Sequence, residues 1–396
     1  MTHDVLIIGG GPAGATVATM LAKAGWSVAV VEKAAFPRRK VCGEFVSATT
    51  LPLLREIGIG EAFSNLAGPE VRRVGLFAND ITLHAPLPQP AGVTLGWGRA
   101  LGREHLDLLL LEAAARARAR VWQPWSAIEL HRSKIGYICR AASAGKGTRE
   151  LVARMVIIAH GSWGHSLLPW KPKAHEDIDL LAFKAHFRDC DLPLDLMPLL
   201  IFPGGYGGMA HSDSERVSLS CCIRREELQR CRRRWPNQHA GESVVQHIQD
   251  SCLGGRQSLR LATLDGTWLS AGPIRPGIRS GYSNGVFFAG NIAGEAHPLI
   301  AEGISMAMQG AHLLAHRLIA QQNDLTPDAL SSLGAEYAAE WKASFETRIH
   351  AAAVFAYLAL RPKIIALALP LIARIPRILT FGARLSGKAQ IHAPHA

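Results

Sequence analysis

Three glycines near the start of the chain have the spacing of a dinucleotide-binding turn. Gly9, Gly11 and Gly14 follow an apolar, β-branched run and precede an alanine-rich segment. One glycine makes a tight turn, one lets the backbone approach a pyrophosphate, and one lets the following helix pack on the strand. The helix that starts at Pro12 and Ala13 would direct free N–H groups and the positive end of its dipole at the phosphates.

A carboxylate lies at the matching distance downstream. Glu32 ends the second predicted strand, Ser27–Val31, and can accept hydrogen bonds from an adenosine ribose. Lys33 follows directly, and we assign both side chains to cofactor binding. A tight turn without a ligand is the alternative interpretation, but strand, turn, helix, strand and acid in this order favour a dinucleotide site.

Later segments complete the elements that must position these residues. Ala153–Ala159 has the composition of another buried strand, and residues 285–289 form a further one that ends at Gly290-Asn291. A proline-containing loop then leads into a helix predicted from about Glu302 to Ala320.

Two further motifs carry a family resemblance. They are Cys42-Gly43-Glu44, after a basic stretch, and the segment Pro298–Ile304 before the long helix. With the glycine turn, they resemble the flavin-dependent oxidoreductases of the para-hydroxybenzoate hydroxylase fold, most of all the geranylgeranyl-reductase-like branch. The resemblance covers about residues 1–320 and implies an α/β fold: a doubly wound, Rossmann-like FAD-binding domain, an inserted, mainly antiparallel β substrate domain and a helical C-terminus. We expect the FAD-binding domain at 1–75, 101–170 and 272–325, the substrate domain at 76–100 and 171–271, and a helical cap at 326–396.

The same resemblance implies FAD as cofactor and NAD(P)H as reductant. Arg103 would hold phosphate or ribityl oxygens with its rigid fork of donors. Asn291 stands where relatives have an aspartate that bonds a ribityl hydroxyl, and its carbonyl oxygen can accept the same bond. The helix N-terminus at Gly303 and Ile304 would face the pyrimidine edge of the flavin, where negative charge gathers on reduction.

Two side chains are candidates for catalysis. By resemblance Cys42 would lie along the ribityl chain and the isoalloxazine ring, either as a reactive thiol or as a small buried residue in a tight loop. His297 would lie where the flavin faces the substrate, as an acid or base near neutral pH or as a packed loop residue. His160 replaces an aspartate that relatives carry before a glycine, which weakens the expectation of direct nicotinamide contacts.

Composition limits the partners. The seven cysteines contain no CxxC pair, which predicts a reducing cytoplasm and argues against a zinc site. The chain enters its first strand almost at once, so no signal peptide is expected. The formal net charge of +11 lies in local basic clusters without a nucleic-acid motif, so we expect no nucleic-acid partner. An acidic carrier protein, an anionic membrane surface or an anionic cofactor fits this charge better.

The C-terminal segment has two interpretations. The uncharged apolar run Ile364–Ala373 contains Pro370 and is too short to cross a bilayer. It is either a cap packed over a cavity for an aromatic or hydrophobic substrate, or a basic amphipathic surface that touches the inner face of the membrane.

Three functions follow from the resemblance. The first is a monooxygenase that acts through a flavin hydroperoxide on a phenolic or polyketide-type molecule of secondary metabolism. The second is a reductase or dehydrogenase of carbon–carbon bonds in a prenyl, polyene or carrier-bound substrate. The third is a flavin-binding protein without catalysis. The family's Trp-x-Trp-x-Ile-Pro motif is absent, which disfavours halogenation, and Tyr-x-Trp-x-Phe-Pro is incomplete, which weakens prenyl reduction.

Overall fold

A computed structural model describes residues 2–89, 96–162 and 176–389. Its strands are β1 (Thr2–Ile8), β2 (Val28–Val31), β3 (Phe45–Val46), β4 (Arg73–Ala78), β5 (Ile81–Pro86), β6 (Arg99–Ala100), β7 (Arg120–Trp122), β8 (Ser126–Ser133), β9 (Gly136–Ser143), β10 (Gly147–Ile158), β11 (Leu180–Arg188), β12 (Leu196–Phe202), β13 (Gly205–His211), β14 (Val217–Arg224), β15 (Thr263–Ile274), β16 (Gly277–Ile278), β17 (Tyr282–Ser283), β18 (Val286–Phe288) and β19 (Gly294–Glu295).

The α-helices are α1 (Pro12–Lys23), α2 (Leu51–Glu56), α3 (Gly60–Leu66), α4 (Arg103–Arg116), α5 (Arg225–Arg234), α6 (Ala240–Ser251), α7 (Leu253–Ser258), α8 (Gly303–Ala320), α9 (Pro327–Ala359), α10 (Pro362–Arg374) and α11 (Arg377–Leu385). The α/β class with a helical C-terminus is as predicted.

The first sheet has the order β17-β18-β10-β1-β2-β7, and the β8–β9 hairpin extends it from β10. Strands β18, β10, β1, β2 and β7 are parallel, and β1 and β2 are buried on both faces, as their uninterrupted apolar runs require. The carboxyl ends of β1, β10 and β18 therefore meet at one edge. This edge brings together the glycine turn, His160 and Gly290.

The second sheet has the order β15-β11-β14-β13-β12-β4-β5 and is antiparallel except for the parallel pair β4–β12. Between β12 and β13 only Pro203-Gly204 turns, with Gly204 at φ +69°, and the following glycines run extended in β13. A Cβ at Gly207 would lie 2.8 Å from the Cβ of Cys221, so small residues here let β13 and β14 pack closely.

The second sheet extends a few residues beyond the expected substrate-domain ranges, because β4 starts at Arg73 and β15 ends at Ile274. The expected ranges also include residues 90–95, 163–175 and 390–396, which lie outside the described residues.

Helix α9 packs against α8 and against β17 at the edge of the first sheet, and the chain then continues into α10 and α11. Thr326 caps it by accepting a hydrogen bond from the Ala329 N–H, and Tyr337, Trp341 and Phe345 are buried along it. The chain bends by 104° between α9 and α10. Among the described helices, none is by itself long and apolar enough to cross a membrane, although this bent pair passes such a test when its two helices are combined.

Candidate functional site

A cavity of about 470 Å³ is lined by the segments that follow β1, β2, β10 and β18 of the first sheet, by strands of the second sheet and by the C-terminal helices. It reaches from the glycine turn after β1, past the start of α8, to strands β4, β12 and β13 and to helices α10 and α11. Most of the predicted site residues line it.

The three glycines of the turn have different roles. Gly9 has φ +112°, and a Cβ there would lie 2.5 Å from the Ala159 carbonyl oxygen, while a Cβ at Gly14 would collide with the Gly9 carbonyl. At Gly11 the nearest atom to such a Cβ is Arg103 Nη2, 3.9 Å away. Gly9 and Gly14 are therefore required by the fold, and Gly11 faces open space in the cavity.

The acid at the end of β2 organises this turn. Glu32 is buried, and its two carboxylate oxygens accept 2.8 Å hydrogen bonds from the N–H groups of Gly10 and Ala34. Each oxygen keeps a second lone pair with which it can accept a ribose hydroxyl. Lys33, by contrast, is exposed and is not among the residues that line the cavity.

Three cations gather beside the turn. Arg103 is buried, and its Nε and Nη2 donate hydrogen bonds of 2.7 and 2.8 Å to the two carboxylate oxygens of Asp107. It lines the cavity next to Gly11. Burial by itself would lower the pKa of Arg103, but the Asp107 carboxylate raises it above its ordinary value. Burial lowers the pKa of Lys40 to about 8, and the charges of Arg103 and Arg38 lower it further. Lys40 belongs to the basic stretch before Cys42 and lies at the cavity wall.

The Cys42-Gly43-Glu44 segment is anchored by its last residue. Glu44 is fully buried with φ +66°, is paired with the buried Lys184, and accepts a 2.9 Å bond from His186 Nε2. Burial would raise the pKa of Glu44, but the Lys184 charge holds it well below its usual range. This anchor fixes the loop so that the half-buried Cys42 lines the cavity.

Asn291 lies in a small polar network at the end of β18. Its amide nitrogen donates to Ser162 Oγ at 2.9 Å and to Glu295 Oε1 at 3.1 Å. Both bonds use the nitrogen, so the carbonyl oxygen remains available for the predicted ribityl bond. Burial raises the pKa of Glu295, a cavity-lining acid that sequence analysis did not select.

The start of α8 faces the cavity without a side-chain cap. A Cβ at Gly303 would have no atom within 4 Å, and Ile304 also lines the cavity. The buried Glu302 carboxylate does not line the cavity and forms a 2.7 Å ion pair with Lys388. The first N–H groups of the helix, with the positive end of its dipole, are thus directed at the cavity.

These residues fit FAD. Gly11, Gly43 and Gly303 leave open space where other residues would carry a Cβ. Among the described side chains, Arg38 Nε and His160 Nε2 are buried at the cavity without a hydrogen-bond partner in the protein. Residues 2–346 match the model of the FAD binding domain family. This chain belongs to that family. Its fold is that of para-hydroxybenzoate hydroxylase, and FAD is its cofactor.

Several curated relatives of this FAD-binding protein are oxidoreductases. It is 34% identical over 178 residues to 1H-pyrrole-2-carbonyl-[peptidyl-carrier protein] chlorinase of Pseudomonas fluorescens, a match of 40% of this chain and 39% of the relative. It is 28% identical over 159 residues to menaquinone reductase of Mycobacterium tuberculosis, covering 40% of this chain and 38% of the reductase. Squalene monooxygenase of Rattus norvegicus is 23% identical over 340 residues, or 82% of this chain and 56% of that enzyme. The matches thus span only about two fifths to just over half of these relatives.

Solved structures share the fold over nearly the whole chain. The myxobacterial chondrochloren halogenase CndH superposes with a TM-score of 0.74 at 18% identity, covering 97% of this chain and 91% of that one. PqsL of Pseudomonas aeruginosa in complex with 2-aminobenzoylacetate has a TM-score of 0.72 at 17% identity, covering 93% and 100%.

On the substrate side of this FAD-binding protein, the structure pairs His297 with a residue that sequence analysis did not nominate. The buried Tyr206 hydroxyl lies 3.1 Å from His297 Nδ1, and both residues line the cavity. Burial lowers the pKa of His297 to about 4 and raises the pKa of Tyr206 well above its ordinary value. His297 is therefore neutral at pH 7. Its role as an acid or base or as a packed loop residue stays a prediction. When Nδ1 carries no proton, it can accept a hydrogen bond from the Tyr206 O–H.

Proposed function

We propose that this flavoprotein is a monooxygenase that hydroxylates an apolar, phenolic or polyketide-type molecule, with NAD(P)H as the reductant. Bound FAD would supply electron transfer and the activation of oxygen. The observation that carries the proposal is the Tyr206–His297 pair, which lies in the same cavity as the start of α8.

The pair gives a phenolic substrate a polar partner in the cavity. When the His297 proton is on Nε2, the Tyr206 O–H donates to His297 Nδ1, and the phenol oxygen of Tyr206 keeps lone pairs that can accept a substrate O–H. A hydrogen bond from the substrate O–H to Tyr206 orients the substrate ring and makes it more electron-rich. The nearby Glu295 with its raised pKa lies along the same wall.

The rest of the cavity selects for apolar molecules. Its wall beyond the pair comes from the second sheet and from the cap, including Leu76, Leu199, Ile201, Ile365, Ile372 and Leu379. Such a lining excludes water from the site, which prevents the hydrolysis of reactive intermediates. The likeness to PqsL, which binds the aromatic 2-aminobenzoylacetate, supports an aromatic substrate.

The test is an assay of the FAD-loaded protein with a panel of apolar phenols and either NADH or NADPH. We expect a phenol to stimulate both NAD(P)H oxidation and oxygen consumption, and labelled oxygen to enter the product. Oxidation of NAD(P)H without oxygen in any product would contradict the proposal.

Reduction and halogenation are the competing reactions. The matches to menaquinone reductase and to the carrier-bound pyrrole chlorinase support them, although the missing Trp-x-Trp-x-Ile-Pro motif disfavours the second. The same assay separates the three: a reductase adds two hydrogens to a prenyl quinone without oxygen, and a halogenase needs chloride or bromide and transfers it to the product.

We also propose that the cap brings the protein to an anionic membrane surface. Residues 347–396 contain no Asp or Glu, and Lys363, Arg374, Arg377 and Arg384 are exposed. Beside them α10 and α11 expose apolar side chains: Leu367, Leu371, Ile375 and Phe381. Apolar groups flanked by cations suit the boundary between headgroups and acyl chains, and the opposite face of the same helices lines the substrate cavity.

A further inference from the structure

Two histidines of α8 and one glutamate from the end of α2 form a cluster outside the cavity. His312 and His316 are one helical turn apart, and Glu56 is the last residue of α2. His312 Nε2 lies 3.0 Å from Glu56 Oε2 and 3.0 Å from His316 Nε2, and His316 Nε2 lies 3.6 Å from Glu56 Oε1. We propose that these three side chains bind a divalent transition-metal ion of the zinc class.

The spacing of the donor atoms suits such an ion. Zinc bonds to imidazole nitrogen and carboxylate oxygen are about 2.0–2.2 Å long, which puts neighbouring ligands of a tetrahedron roughly 3.3 Å apart. The three observed separations, 3.0, 3.0 and 3.6 Å, bracket that value, with Oε2 of Glu56 beside His312 and Oε1 beside His316. Two histidines and one carboxylate also form a known zinc ligand set, which leaves a fourth position for water.

Hydrogen bonds alone cannot satisfy all three side chains, Glu56, His312 and His316, at these distances. If His312 Nε2 carries a proton, its N–H can point along the bond to the carboxylate or along the bond to His316, but not along both. If His312 Nε2 is unprotonated, its lone pair faces the negative carboxylate at 3.0 Å. A cation between the three groups removes both conflicts, because each ligand then directs a lone pair at positive charge.

A second possible cluster lacks this property. Glu227, Cys231 and His247 also lie close together, but His247 Nε2 lies 2.9 Å from the Pro203 carbonyl oxygen, and Glu227 is paired with Arg230 at 2.6 Å. A ring nitrogen that donates to a carbonyl cannot ligate a metal at the same time.

The site would fasten α8 to the segment that follows the Cys42–Glu44 loop. One polar face of α8 runs along this segment: Ser305 accepts from the Ser47 N–H, and Gln309 donates to Thr49 Oγ1 at 3.1 Å. His312 and His316 continue the same face by one and two further turns. The ion would lie at the outer end of this seam, and the inner end is at the cavity, beside Ile304.

The test is calorimetric titration of the FAD-loaded, chelator-treated full chain with zinc chloride. We expect one zinc ion to bind per chain. Loss of a residue that only supports a metal ligand typically weakens metal binding by roughly 10- to 100-fold, so H312A and H316A should each weaken zinc binding by at least that factor. H131A is the matched control. His131 is exposed and lies 3.4 Å from Glu129, but this pair includes one histidine where the proposed site has two. It should bind zinc as the wild type does.

Cobalt(II) gives a second measurement. Its visible bands should be those of a four- or five-coordinate site, without the ultraviolet thiolate band that a cysteine ligand would add. These visible bands should disappear in H316A. His316 is partly exposed, so its removal is not expected to unfold the protein, which retained flavin absorbance would verify. Zinc binding that is equal in H312A, H316A and H131A, or absent in all of them, would overturn the proposal.

Discussion

Lys40 shows how burial changes the chemistry of one residue. In the sequence it belongs to an ordinary basic run, Arg38-Arg39-Lys40, but in the fold it lies at the cavity wall near Arg103. Its pKa of about 8 lies below the ordinary value of 10.5. Between these pH values the unfolded chain binds more protons than the folded one, so this group makes the FAD-free protein more stable as the pH rises from 8 to 10.5.

We predict that K40M weakens FAD binding by about tenfold at pH 7, the equivalent of one charge-assisted hydrogen bond of about 1.5 kcal/mol. The cation would attract the phosphates of FAD, so wild-type affinity should fall as the pH rises through 8 and Lys40 loses its charge. Fluorescence titrations with FAD at pH 7 and 9.5 measure both effects.

K33M is the control for this experiment. Lys33 was also predicted to bind the cofactor, yet it is exposed and outside the cavity lining. If K33M weakened FAD binding while K40M did not, the role assigned to Lys40 would be refuted and the original prediction for Lys33 supported.

Tyr206 is the residue that would bind the substrate hydroxyl. We predict that Y206F retains FAD but lowers the rate of hydroxylation by about tenfold, as expected for loss of one hydrogen bond of about 1.4 kcal/mol. Because the pKa of His297 is about 4, the rate should not fall between pH 7 and 5.5 through this histidine. Steady-state rates over that pH range check both points.

Y137F serves as the matched variant, since Tyr137 bonds the Asn284 carbonyl and does not line the cavity. Equal rates for Y206F and the wild type would remove Tyr206 from the mechanism.

Among the secondary-structure elements, the β1–α1 turn separates folding from binding. We predict that G9A destabilises the protein by more than about 2 kcal/mol, because Gly9 has a positive φ and a Cβ there would clash with the Ala159 carbonyl. G11A should leave the melting temperature nearly unchanged but weaken FAD binding by about tenfold or more, because its methyl group enters the space left for the pyrophosphate. Thermal melts without FAD and titrations with FAD distinguish the two effects, and a G11A protein with wild-type affinity would contradict this placement of the cofactor.

Helices α10 and α11 have one face on the cavity and another exposed. We predict that F381E lowers the fraction of protein that sediments with vesicles of phosphatidylcholine and phosphatidylglycerol several-fold, and that high salt does the same. I135E is matched to it, because Phe381 and Ile135 are both 61% exposed but Ile135 lies in the β8–β9 hairpin turn. If both variants bound vesicles equally, the cap would not be the membrane-facing surface.

For the molecule as a whole, the buried ion pair Glu44–Lys184 joins the Cys42-Gly43-Glu44 segment to strand β11 of the second sheet. Both side chains are almost completely buried, so removal of one partner leaves the other as an uncompensated charge. We predict that E44Q and K184M each cost about 3–5 kcal/mol of unfolding free energy. The double variant should cost less than the sum, which chemical denaturation of all three proteins would measure.

The stability that the Glu44–Lys184 pair contributes should decrease as the pH falls. The pKa of Glu44 is held far below its ordinary value of 4.5, so its stabilising contribution is present above pH 4.5 and is lost progressively as the pH falls below it. E44Q should therefore unfold with a weaker dependence on acid than the wild type. An unchanged acid profile would mean that the pair does not govern stability in this range.

The sequence by itself determined the features that depend on neighbouring residues. The glycine turn, the buried parallel strands, the acid at Glu32 and the start of α8 near Gly303 were all predicted, because each is encoded by local spacing and by the conformational limits of glycine and proline. The FAD-binding fold was predicted from the order of these motifs and is confirmed by the family match.

Only the tertiary structure decided which distant side chains meet. Glu44 and Lys184 are 140 residues apart in sequence, Tyr206 and His297 are 91 apart, and Glu56 and His312 are 256 apart. These contacts depend on how two sheets and a long helix pack around one cavity, and no local pattern encodes that arrangement. Burial likewise sets the pKa values of Lys40 and His297, because the loss of water around a charge is a property of the packed fold and not of the residue type.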